Sequence, residues 1–205
     1  YVTVNSALAG GGSKFNKDPS ALWASLAEKA YAQFQATYLE TGNSVNYGNS
    51  WSTIGNGGDP IYALEAITGS SSLTDYIASG SSWRAYNYQS SLNYTGSTSG
   101  ISNASLQSTL IADLNAGYDL VLCSWTNAYD SAGKQTLVSS HALSIYGFDN
   151  ATGMFQIRNP WGTATGQYWN TTFEVSLSTL QSYGDYIAVA APTTFVASSV
   201  LSIAA

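Results

Sequence analysis

The sequence predicts an α+β fold in which about three helices pack on a mostly antiparallel β-sheet. Two apolar runs, at residues 142–148 and 154–157, flank a polar tip at residues 149–153, which is typical of antiparallel strands joined by a tight turn. Apolar residues also recur at helical spacings in three segments, each with a capping residue at its start. With 44% hydrophobic residues and no internal repeat, residues 1–205 are expected to form one domain.

The three helices are predicted from apolar residues at spacings of three and four and from the residues at their ends. Asp and Ser or Asn side chains cap the first turn, Pro suits the position after the cap, and Gly ends a helix in a left-handed conformation. The helices should begin at Asp18, at Asp59 and at Ser102 or Asn103, and end near Tyr38, Gly69 and Gly117.

Strands are predicted where short apolar or alternating runs are bounded by Gly and polar residues. The run at residues 118–125 is apolar enough and short enough for a central, buried strand. Residues 42–58 should form an irregular loop, and the Ser- and Gly-rich residues 70–101 should hold one or two strands. Further strands are predicted at 1–4, 173–175 and 186–189, with a turn of helix at 177–183 and an added strand, tail or linker at 193–205.

The hairpin carries the residues that point to chemistry. His141, the only histidine in the chain, starts its first strand, and Asn159 ends its second. The hairpin ends that lie away from the turn are neighbours, so the imidazole and the carboxamide should meet. An amide oxygen that accepts from one ring nitrogen fixes the tautomer and leaves the other nitrogen for a nucleophile. Pro160 stops the strand, and Trp161 is placed to cover the pair and exclude water.

These motifs resemble a known family. Residues 141–145, His-Ala-Leu-Ser-Ile, and residues 158–162, Arg-Asn-Pro-Trp-Gly, are similar to the His and Asn segments of the calpain family of papain-like cysteine peptidases. Residues 22–32 resemble the helix that opens the second half of the calpain protease core, and Thr68-Gly69 matches a pair after a short helix there. The resemblance covers that second, His- and Asn-bearing half almost end to end.

The resemblance implies an endopeptidase that hydrolyses peptide bonds in proteins. His141 would be the catalytic base and acid, Asn159 would orient it, and Trp161 would support both. Ser140 would offer its backbone carbonyl to a polypeptide substrate. The alternative for a lone histidine at a strand end is a purely structural role.

The only cysteine, Cys123, does not fit the nucleophile's position. It falls in the predicted apolar strand, where burial raises a thiol's pKa, whereas a papain-like nucleophile sits at a helix N-terminus. The family places that Cys, and a Gln that helps form the oxyanion hole, in an N-terminal half that nothing in residues 1–205 matches. We therefore expect this half as the partner, separated by proteolytic processing or by truncation at Tyr1, and expect the chain alone to be inert.

Composition limits the remaining partners. A net charge of −6 with only six Lys and Arg argues against nucleic acid, and no apolar run is long enough for a membrane helix. Few charges and many Ser, Thr, Asn and Tyr residues favour an extracellular or secreted protein. The family's calcium cage needs acidic residues after the Asn motif, but residues 163–172 contain none, so no cofactor is expected.

Two other functions remain open at this point. The first is a non-catalytic, peptidase-like binding module of a secreted or cell-surface protein, which would explain why no nucleophile is found. The second is a carbohydrate-binding or surface-layer domain, suggested by the abundance of Tyr, Trp, Asn and Ser. The intact set of His141, Asn159 and Trp161 favours the peptidase.

Overall fold

A computed structural model describes residues 26–32 and 57–193. Residues 26–32 are helical, as predicted for that part of the first helix. The predicted strand at 1–4, the two ends of the first helix, most of the 42–58 loop and all but one residue of the 193–205 segment lie outside the described residues. Between residues 57 and 193 the elements are α1 (Pro60–Thr68), β1 (Ser72–Ser79), β2 (Ser82–Gln89), a 3-10 turn (Ser90–Leu92), β3 (Asn93–Ile101), α2 (Asn103–Asn115), β4 (Asp119–Ser124), β5 (His141–Asp149), β6 (Met154–Arg158), β7 (Thr172–Val175), α3 (Leu177–Tyr183) and β8 (Tyr186–Ala190).

The strands form one eight-stranded sheet in the order β3-β2-β1-β8-β4-β5-β6-β7, and neighbouring strands of this described sheet are antiparallel. The α+β fold with a mostly antiparallel sheet is therefore confirmed. The run predicted as a central strand is β4, which lies between β8 and β5. Leu120 and Leu122 are buried on one face of β4 and Cys123 on the other, as expected for a strand covered on both faces.

The sheet buries apolar side chains on both of its faces. One face carries the larger cluster, which includes Leu106 and Leu110 of α2 and Leu177 and Leu180 of α3. The opposite face packs on α1. The smaller cluster on that face consists of Ile61, Leu64, Leu73, Ala188 and Ala190. No helix within residues 26–32 and 57–193 is long and apolar enough to span a membrane.

The predicted helix ends are confirmed for the two helices described in full. Asp59 caps α1 by accepting a hydrogen bond from the Ile61 N–H at 3.1 Å, and Gly69 closes it with a left-handed φ of 66°. At α2 the choice between two caps is resolved in favour of Ser102, whose hydroxyl accepts from the Ser105 N–H at 3.1 Å. Each cap fixes the direction from which the chain enters the helix.

The prediction of one or two strands in residues 70–101 was too low, because three strands form there. β3 lies at one of the two edges of the described sheet, and most of its side chains are exposed. An edge strand of this kind does not need the apolar alternation that identifies a half-buried strand. The hairpin of β5 and β6 forms as predicted, with an irregularity in register between Ile145 and Gly147.

Candidate active site

His141 and Asn159 are in contact, as the hairpin pattern predicted. The Nε2 atom of His141 lies 3.1 Å from the Oδ1 atom of Asn159, although the two residues are 18 apart in sequence. β5 begins at His141, and β6 ends one residue before Asn159. Asn159 is only 1% exposed, and its backbone N–H donates to the Thr171 carbonyl at 2.9 Å. Burial and this backbone hydrogen bond fix the position of Asn159 beside the histidine ring.

The hydrogen bonds around Asn159 determine the histidine tautomer. The backbone N–H of Trp161 points at the same Oδ1 atom, at 3.0 Å. Because a backbone N–H can only donate, the atom it meets must be the amide oxygen and not the amide nitrogen. The oxygen can then only accept from Nε2 of His141, which must carry the proton. In the neutral ring this leaves Nδ1 with a lone pair that can accept a proton from a nucleophile.

Trp161 lies against the histidine ring, and a second indole, Trp169, packs behind it. The ring centroid of Trp161 lies 4.8 Å from that of His141, with the planes tilted by 44°. Trp169 packs edge-on against Trp161 at 5.3 Å, and its Nε1–H donates to the Gly162 carbonyl at 2.9 Å. Trp161 lies where the sequence predicted it, whereas the position of Trp169 was not predicted. Nothing in the local pattern of residues 163–172 identifies it, because it reaches the site through a long loop.

The segment that leads into β5 is held in place by two hydrogen bonds from Ser139. Ser139 donates its N–H to Oδ1 of Asn127 at 3.0 Å and its hydroxyl to the Trp125 carbonyl at 2.9 Å. Ser140 is exposed and has a φ of 57°, a left-handed conformation that a side chain disfavours. This conformation turns the chain immediately before His141. The proposed substrate contact of Ser140 stays a prediction.

A second group of hydrogen bonds joins the loop before β5 to the loop after β6, and the sequence analysis did not foresee it. Gln135 is 6% exposed, and its side-chain amide donates to Oδ1 of Asn127 at 2.8 Å. Its backbone N–H donates to the Tyr168 carbonyl at 2.9 Å, and its carbonyl accepts from the Asn170 N–H at 2.8 Å. Nδ2 of Asn170 also donates to Asp130 at 2.8 Å. The loops on the two sides of the pair are thus bound to each other.

Cys123 belongs to the neighbouring strand but does not face the histidine. In β4 it is Ser124 that pairs with His141, whereas Cys123 pairs with Ala142. Successive side chains of a strand point to opposite faces, so Cys123 and His141 lie on opposite faces of the sheet. Burial raises the pKa of the Cys123 thiol strongly, and a hydrogen bond with Tyr186 offsets this only in part. Such a thiol stays protonated and unreactive at neutral pH.

The family implies a calcium ion, whose cage would need acidic side chains close together. Within residues 26–32 and 57–193, no group of three or more His, Cys, Asp and Glu side chains lies together in a way that could hold a metal. The loop after the Asn motif contributes only uncharged residues at positions 163–172. A hard cation prefers several carboxylate oxygens, which this loop does not offer.

A sheet that presents a hydrogen-bonded imidazole and amide under an indole is the arrangement expected of the base-bearing half of a cysteine peptidase. The comparisons with known proteins agree with this class. A family model described as calpain family cysteine protease matches residues 11–179, which is most of the chain. The chain therefore belongs to the calpain family of cysteine proteases. A comparison with curated proteins found no significant match.

Proposed function

We propose that this chain is the His- and Asn-bearing part of a calpain-family cysteine endopeptidase that hydrolyses peptide bonds in proteins. The observation that carries the proposal is the His141–Asn159 contact beneath Trp161. The nucleophilic Cys and the oxyanion Gln come from a separate or removed N-terminal half. In support, the single cysteine of the chain is buried on the far face of the sheet from His141.

In this proposal His141 moves one proton in each half of the reaction. Its Nδ1 atom takes the proton from the incoming thiol, and the thiolate then attacks the substrate carbonyl carbon. The imidazolium returns the proton to the leaving amine as the peptide C–N bond breaks, which leaves the acyl group on sulfur as a thioester. In the second half the ring takes a proton from the water that attacks the thioester, and it returns that proton to the sulfur as the C–S bond breaks and the acid leaves. Asn159 keeps the ring in one orientation through both transfers, because its oxygen accepts from Nε2 throughout. Trp161 and Trp169 keep water away from that hydrogen bond.

The chain by itself is then inert. Without a thiolate and oxyanion donors, an imidazole–amide pair offers little stabilisation of the transition state. Cys123 cannot replace the missing thiol, because its side chain projects from the other face of the sheet and its pKa is raised.

Reconstitution tests the proposal. Peptide hydrolysis should be undetectable with the purified chain and should appear when the Cys-bearing half is added or when the two are expressed as one polypeptide. Asn159→Ala should lower kcat of the assembled protease about 100-fold, since the ring loses its orienting acceptor. Ser108→Ala, an exposed change on α2, is the matched control. An assembled protein that binds peptides but does not cleave them would favour the non-catalytic module instead.

We further propose that the assembled peptidase is independent of calcium and acts outside the cell. The uncharged loop at residues 163–172 supports the first point, and the low charge content of 9% supports the second. A chelator added to the assembled protease should leave kcat unchanged. Loss of activity with recovery on adding calcium would overturn the first point.

A further inference from the structure

Asp185 is a fully buried acidic residue that lies directly before β8, outside the catalytic pair. It is 0% exposed, and its Oδ1 atom accepts a hydrogen bond from the Trp125 N–H at 2.8 Å. Burial raises the pKa of Asp185 to about 6, while the hydrogen bond from the Trp125 N–H acts in the opposite direction. This hydrogen bond joins the Asp185 carboxyl group to the end of β4.

The backbone of Trp125 links Asp185 to the residues before His141. Its N–H is held by Asp185, and its carbonyl accepts the hydroxyl of Ser139 at 2.9 Å. Ser139 precedes the histidine by two residues, with only the left-handed Ser140 between them. In addition, Ser124, the neighbour of Trp125, pairs with His141 across the sheet. A shift of Trp125 would therefore move both the strand beside the histidine and the turn that aims it.

We propose that Asp185 is a positioning residue for His141, acting through the backbone of Trp125 and the hydroxyl of Ser139. The structure separates this role from that of Asn159, because Asn159 contacts the imidazole directly whereas Asp185 fixes the backbone that carries it. The relevance to catalysis rests on the proposed function, but the effect on the orientation of His141 does not. A small displacement of a reacting group can cost about 100-fold in rate, so such an anchor matters for a proton-transfer residue.

The chain offers a direct probe, since it contains a single histidine. Nitrogen NMR of the isolated chain should show one set of imidazole signals with the proton on Nε2. Asp185→Ala removes the acceptor of the Trp125 N–H and should split or broaden these signals. Asp185→Asn keeps an oxygen that can accept from the Trp125 N–H. Its amide nitrogen takes the place of Oδ2, which has no hydrogen-bond partner in the described part of the chain. This variant should retain the signals of the wild type.

Activity of the assembled protease gives the second measurement. Asp185→Ala should lower kcat about 10-fold or more and change KM by less than about threefold, and Asp185→Asn should restore kcat to within about threefold of the wild type. Ser139→Ala, a change at an exposed position, removes the hydrogen bond from Ser139 to the Trp125 carbonyl and should also lower kcat. If Asp185→Ala does not fold, Ser139→Ala still tests the positioning role. Ser108→Ala is the control, because it removes a similar hydroxyl-to-carbonyl bond on α2.

The outcomes distinguish this inference from the proposed function. If Ser139→Ala, and Asp185→Ala where it folds, keep the imidazole signals of the wild type, then Asp185 does not position His141, whatever the activity. The same conclusion follows if Asp185→Asn is as impaired as Asp185→Ala. If the signals respond as expected but His141→Ala leaves peptide hydrolysis intact, the positioning role stands and the proposed function fails.

Discussion

At the scale of single residues, the candidate site follows from one hydrogen-bond arrangement. The Trp161 N–H fixes the orientation of the Asn159 amide, and that orientation fixes the proton on His141. The contact between the pair was predictable because hairpin pairing brings the two strand ends together. Trp169 and Gln135 were not predictable, because long loops bring them to the site and no local periodicity places them.

Cys123 should react slowly in the folded chain. Burial raises the pKa of its thiol, so very little thiolate forms at pH 8. We expect alkylation by iodoacetamide to be at least about 100-fold slower in the native chain than in urea, where the thiol titrates normally. Mass spectrometry at timed intervals measures both rates. Equal rates would show an accessible thiol and would return Cys123 to the list of possible nucleophiles.

At the scale of elements, the start of β5 is one place where the fold accepts backbone strain. Strand and helix bounds were largely predictable, because caps and apolar runs are local signals. The number of strands in residues 70–101 was underestimated, because the exposed edge strand β3 has no such signal. The left-handed Ser140 was not predictable either, since a serine carries no indication of a positive φ. Only the tertiary path into His141 requires it.

Ser140→Gly should stabilise the chain. Glycine adopts a φ of 57° without the steric cost that a Cβ brings, and this outweighs its greater entropy in the unfolded chain. We expect the free energy of unfolding to rise by about 0.5–1 kcal/mol, measured by urea denaturation. Ser144→Gly, at an exposed position within β5, is the matched control and should lower the free energy of unfolding by about 0.5–1 kcal/mol. A loss of stability in both variants would show that Ser140 is not strained.

At the scale of the whole molecule, the central sheet buries carboxyl groups as well as its apolar core. Asp75 on β1 is 3% exposed, and burial, together with the charge of Asp59, raises its pKa to about 8. Burial also raises the pKa of Asp185, to about 6. Both groups keep their protons in the folded chain at pH values where the unfolded chain has lost them. Stability is thereby linked to pH.

The folded chain should therefore become less stable as pH rises from about 4 to about 8. In that window the folded state binds more protons than the unfolded state, so the free energy of unfolding falls by up to about 1.4 kcal/mol per pH unit for one such group. Urea denaturation at pH 5 and pH 7.5 measures the difference. Asp75→Asn, which mimics the protonated acid, should reduce the dependence, and the exposed Asp119→Asn should not. Higher stability at pH 7.5 than at pH 5 in the wild type would refute the linkage.

The most direct test of the catalytic assignment is kcat for peptide hydrolysis by the protease that contains both halves. With His141→Ala, the base and acid are lost, and we predict that kcat falls by about 1,000-fold or more. Cys123→Ala, made in the same protein, should keep kcat within about threefold, since that thiol has no part in the reaction. A His141→Ala protease that retained at least about one tenth of the wild-type kcat would contradict the account.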